Sequence, residues 1–82
     1  MRAIYKYHLN LEGYGTITGR FVQFLDAQIQ DGNLVIWAIT DTEFPELEVE
    51  VASICTGSTT KDHWKYFRTI QHNNLGYHIF FT

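Results

Sequence analysis

Apolar and polar residues alternate along most of this chain, and no segment carries twelve residues of helical periodicity. Alternation at period two belongs to strands with one face buried and one face wet, because successive side chains on a strand point to opposite sides. That single feature predicts an all-β domain, mainly antiparallel, built as a small barrel or sandwich of six to seven strands. Its 82 residues fit one domain, 1–82, with a thin core. A core is still within reach, because 45% of the residues are hydrophobic and 16% aromatic.

Strands are legible one by one. Ile4–Leu11 places Tyr5, Tyr7, Leu9 and Leu11 on one face and Lys6, His8 and Asn10 on the other. Gly13, Gly15 and Gly19 follow, with room for a short strand at Thr16–Thr18. Phe21–Gln30 reads either as a helix with Phe21, Leu25 and Gln28 on one face, or as a strand with Phe21, Gln23, Leu25, Ala27 and Ile29 inward. The strand is favoured, because Asp31-Gly32 follows at once and Leu34–Thr40 is a further strand; Gln-Asp-Gly-Asn between two such runs is a hairpin signal. Pro45 suits a turn. Leu47–Val51 points Glu48 and Glu50 outward. Tyr66–Gln71 and Leu75–Phe81 form a final hairpin across Asn73-Asn74, and the polar stretch before it has space for one helical turn at Thr59 or Thr60.

The order of short motifs then resembles a family of short bacteriophage-encoded proteins that carry a domain of unknown function. Ile4-Tyr5-Lys6-Tyr7 opens the pattern, and Gln30–Asp41 matches its Q-x-G-x-L-x-x-W-A-x-x-D hairpin through Trp37 and Ala38. Ile54–Gly57 gives an I-x-T-G step, Tyr66–Gln71 a Y-x-x-T-x-Q strand, and His78–Phe80 the closing x-H-x-F strand. The chain departs from the family pattern at Cys55, where a glycine is usual, and at Ser58, where a histidine often stands. The resemblance implies a viral source and brings no activity with it.

Chemistry-bearing residues are sparse. One cysteine, Cys55, excludes an intramolecular disulfide and a cysteine-based zinc site. The four histidines, His8, His63, His72 and His78, show no i, i+4 metal spacing, although His8 and His78 lie in the first and last strands. No nucleophile elbow, zinc-protease helix or phosphate loop is present, so we expect no catalytic residue, no metal and no cofactor. A net charge of −3 disfavours nucleic acid as a partner. With no leader pattern and no apolar run long enough to span a bilayer, the expected location is the host bacterial cytoplasm, away from membranes.

Binding is the remaining class. The loop containing Gly57, Ser58 and Lys61 offers backbone N–H groups, hydroxyls and a charge for a phosphate or carboxylate, against the plainer reading of a turn. Trp64, Lys65, Tyr66 and Arg68 form an aromatic and cationic run suited to a protein anchor or a stacked base. Regular alternation puts Tyr66 and Arg68 on one face; Trp37 or Phe80 is expected in the core and Trp64 exposed. Five acids between Asp41 and Glu50 make an acidic segment whose outward Glu side chains can guard an edge strand. Together these imply a non-enzymatic phage accessory protein that binds and inhibits a bacterial host or defence component. The alternatives are an oligomeric sponge for a nucleotide-like signal and a minor virion structural or assembly protein. A homo-oligomer is expected, joined through an edge strand or the C-terminal hairpin.

Overall fold

The computed structural model describes residues 1–82 and is all-β. Seven strands run in chain order as β1 (Arg2–Leu9), β2 (Gly13–Gly19), β3 (Phe21–Gln30), β4 (Asn33–Asp41), β5 (Leu47–Cys55), β6 (Lys65–His72) and β7 (Leu75–Phe81). They form two antiparallel sheets, a three-stranded one ordered β1-β4-β3 and a four-stranded one ordered β2-β5-β7-β6. The result is a sandwich, one of the two architectures the alternation allowed.

Both tight hairpins have the turn chemistry that the sequence advertises. Asp31 and Gly32 adopt φ of 52° and 77°, and Asn73 and Asn74 adopt 51° and 64°. Two consecutive left-handed residues match the twist of the flanking strands, and Asp, Asn and Gly tolerate that conformation best.

The core lies between the sheets. Phe21, Ala27, Leu34, Ile36 and Ala38 come from the three-stranded sheet, and Ile17, Val51, Ile70, Tyr77 and Ile79 from the four-stranded one. Burial of apolar surface on this scale, at roughly 25 cal/mol per Å², is the main term holding the layers together. Three polar residues are buried and all are satisfied: the Ser53 hydroxyl donates to the Leu11 carbonyl, the Thr40 hydroxyl to the Ala3 carbonyl, and Asp41 accepts from Arg2.

Several expectations shift. The first strand begins at Arg2 and stops at Leu9, and the glycine-rich strand extends over Gly13–Gly19. No helical turn forms near Thr59; residues 56–64 make turns only. Phe21–Gln30 is a strand, but it carries two register shifts, between Phe21 and Gln23 and between Phe24 and Asp26. Each extra residue reverses the alternation, so Phe24 turns inward and Gln23 outward. Neither Trp37 nor Phe80 belongs to the core; both are half-buried on outer sheet faces. His8 and His78 lie in different sheets. Glu48 and Glu50 do point outward; they lie on the half of β5 that pairs with β2 alone, because β7 covers only Val51–Cys55.

Candidate binding surface

Pairing fixes which side chains share the outer face of the four-stranded sheet, because directly opposed residues point the same way. One row across that face reads Tyr14, Ala52, Phe80, Tyr66, with one residue from each of its four strands. Trp64, just before β6, lies over this row. Its ring is 5.7 Å from Tyr14 and 5.7 Å from Phe80, and Tyr66 meets Phe80 edge-on at 5.7 Å. These are the tilted and edge-to-face geometries that aromatic quadrupoles favour. Ala52 has no solvent exposure although it is on an outer face. Tyr14 and Tyr66 remain 55% and 61% exposed.

A polar chain runs beside the aromatic row. Thr56 Oγ1 is 2.7 Å from His78 Nε2, His78 Nδ1 is 2.9 Å from Thr69 Oγ1, and Thr69 Oγ1 is 2.7 Å from the Tyr66 hydroxyl. A neutral imidazole has one donor and one acceptor nitrogen, so one of the two threonine hydroxyls donates to the ring and the other accepts from it. Gly76 makes the contact possible, because a Cβ there would stand 2.8 Å from Thr56 Oγ1. The Thr56 N–H also donates to the Gly76 carbonyl at 3.1 Å, which ties the start of the 56–64 loop to β7.

The sequence-selected residues divide. Trp64 and Tyr66 come together, and Trp64 is half-buried, its exposure reduced by the rings it touches. Arg68 goes elsewhere. A register shift between Tyr66 and Arg68 pairs Tyr66 with Phe80 but Arg68 with Ile79, an inward residue, so the two do not share a face. Arg68 instead meets Asp26 of β3. Lys65 is exposed at the start of β6. Gly57, Ser58 and Lys61 stay in the exposed loop, where the Ser58 N–H closes a turn onto the Cys55 carbonyl at 3.1 Å and the Lys61 carbonyl accepts from Trp64 N–H at 3.2 Å. Gly57 supports the bend with φ of 98°.

Tyr14, Phe80, His78, Thr56 and Thr69 complete the surface and were not selected from sequence. The parity of His78, Ile79 and Phe80 carried part of the signal: a buried Ile79 puts its two neighbours on the opposite face. Glu48 and Glu50, opposite Thr18 and Thr16, lie on the same outer face further along.

A protein-family model described as "Domain of unknown function (DUF7352)" matches residues 1–82. The chain belongs to this family. No curated protein and no solved structure matches it. In this DUF7352 domain no three His, Cys, Asp or Glu side chains converge as metal ligands. The Cys55 thiol donates to Glu12 Oε2 at 2.7 Å, and that hydrogen bond, with partial burial and the carboxylate's charge, pushes the thiol above its ordinary range. Such a cysteine is held in the protonated, weakly nucleophilic form. Two shallow depressions lie away from the aromatic row. One is lined by His8, Leu9, Asn10, Gly15 and Asn33, the other by residues including Tyr5, Tyr7, Arg20, Asp41 and Glu46.

Proposed function

We propose that this DUF7352 protein is a non-enzymatic phage accessory protein that acts in the host bacterial cytoplasm by binding and inhibiting a host or defence protein. The observation that carries the reading is the Tyr14–Trp64–Phe80–Tyr66 cluster on an outer sheet face, with Glu48 and Glu50 beside it. Partly exposed Trp and Tyr rings are the side chains that dominate protein–protein binding energy. Acids on the same face suit a partner whose apolar groove has a basic rim, and they repel a nucleic-acid backbone. The viral assignment is supported by the motif order from Ile4 to Phe80. The raised Cys55 thiol fits a binding role better than nucleophilic catalysis.

The sponge reading has its own support in the Thr56–His78–Thr69–Tyr66 chain, which sets hydrogen-bonding groups next to an aromatic surface, as a planar nucleotide base would require. Affinity capture from bacterial lysate with wild type and Trp64→Ala, followed by calorimetry on the captured protein, separates the two. A host protein held by wild type, released by Trp64→Ala and inhibited in its own activity supports the inhibitor. Retention of a small nucleotide with no protein partner favours the sponge. Capture of virion components alone points to a structural role. On the inhibitor reading, Trp64→Ala and Tyr66→Ala each weaken binding by more than about 1 kcal/mol, and Arg68→Ala by less.

A further inference from the structure

The sandwich has four edge strands, β1 and β3 in one sheet, β2 and β6 in the other. Exposed edges offer unpaired backbone donors and acceptors, and proteins ordinarily guard them with charges, prolines or bulges. Three of these edges are guarded. β1 carries Arg2, Lys6 and His8. β3 has two register shifts and Asp26. β6 has a register shift, Lys65 and Arg68. β2 has none of these: its sequence Gly-Tyr-Gly-Thr-Ile-Thr-Gly lacks any charge or proline, and it pairs with β5 in unbroken register from Gly13 to Gly19. The acids that would have guarded it, Glu48 and Glu50, sit one strand inward on β5.

We propose that β2 is a self-association edge, at which two copies of the chain pair antiparallel and join their four-stranded sheets into one continuous eight-stranded sheet. The occupant is a second copy because the strand is complementary to itself. Antiparallel pairing centred on Thr16 places Thr16 opposite Thr16 of the partner subunit and Tyr14 opposite the partner's Thr18. Inward, it places Gly15 opposite the partner's Ile17. Thr–Thr and aromatic–β-branched pairs are favourable across strands, and no like charges meet. The two Tyr14 rings then lie on one face, four residues or about 14 Å apart along the strand direction. The pairing turns two small aromatic surfaces into a single, two-fold symmetric one.

The test is light scattering and amide hydrogen exchange at low and high micromolar concentration, on wild type, Thr16→Lys and Gln71→Lys. Thr16 and Gln71 are both exposed and outward-facing on edge strands, so neither change disturbs the core. The expected results are a mass twice the 9.6 kDa of one chain for wild type and Gln71→Lys, and a single-chain mass for folded Thr16→Lys. Exchange in residues 13–19 should slow with concentration in wild type and Gln71→Lys, and not in Thr16→Lys. A wild type that stays at single-chain mass overturns the proposal. A dimer that survives Thr16→Lys, or one whose concentration-dependent protection falls on β1, β3 or β6, overturns the assignment to β2. Protection of 13–19 that appears only when an unrelated extended peptide is added overturns the second copy as the occupant.

Discussion

Arg68 Nε stands 3.2 Å from Asp26 Oδ1, and this ion pair links β6 of one sheet to β3 of the other along one open side of the sandwich. Both residues follow a register shift, between Tyr66 and Arg68 and between Phe24 and Asp26. The bulges aim two edge strands at each other where regular strands would have pointed one of these side chains away. The Gln28 amide donates to the same carboxylate at 3.1 Å, and with the Ala27 backbone N–H and the Arg68 charge it holds Asp26 below the ordinary carboxylate range, against the opposing effect of burial.

That pair is solvent-accessible, with 44% and 41% of the two side chains exposed, so its effect on stability is small. Arg68→Ala and Asp26→Asn should each lower unfolding free energy by about 0.5 kcal/mol, and the coupling between them should shrink in high salt. A double-mutant cycle by urea titration measures it. A salt-independent coupling well above this size would mean that the bulges, rather than the charges, depend on the contact.

Asp41 should govern acid stability. The Glu43 backbone N–H donates to it at 2.9 Å, Arg2 at 3.0 Å and the terminal amine at 3.3 Å, and these donors hold its carboxyl below the usual range against some desolvation. A carboxylate with a lowered native pKa stabilises the fold above its unfolded value near pH 4, and that stabilisation is lost as pH falls through the native value. Melting temperature should therefore drop on acidification below about pH 4. Asp41→Asn should be less stable at neutral pH and show a shallower acid limb; an unchanged limb would assign the acid sensitivity to other carboxylates.

Cys55 should label slowly. At pH 8, folded wild type should react with a thiol reagent more slowly than the same chain in urea, because its hydrogen bond to Glu12 favours the thiol over the thiolate. Glu12→Gln removes the carboxylate charge, so its labelling rate should rise. Equal rates in the two folded proteins would show that access, not ionisation, limits the reaction.

Gly19 marks a close approach between layers. A Cβ at this position would stand 2.7 Å from the Tyr7 hydroxyl and 2.9 Å from the Phe21 ring. The Phe21 ring is buried and packed 5.5 Å from Tyr7, so it has little freedom to withdraw. Gly19→Ala should cost about 1–3 kcal/mol by overpacking. Gly15→Ala should cost less, since its Cβ would meet chiefly the flexible end of Leu9.

Much of this molecule is determined by the sequence alone. Alternation in Ile4–Leu9 and Leu47–Val51 set the inward and outward residues of those strands, because a side-chain period of two is local geometry. Asp31-Gly32 and Asn73-Asn74 set both tight hairpins for an equally local reason, the left-handed backbone that those residues accept. Three things had to wait for the tertiary structure. Bulges at Val22, Leu25 and Phe67 reversed the facing of Gln23, Phe24 and Arg68, and nothing in a short apolar run announces an unpaired residue. Strand order brought Tyr14, Ala52, Phe80 and Tyr66 into one row across positions 14 to 80, and so built the aromatic surface from residues that only pairing makes neighbours. The same order placed Glu48 and Glu50 one strand in from β2 and left the uncharged β2 outermost. Which strand is last in a sheet depends on how all the others bury their apolar faces, a property of the assembled core and not of any segment within it.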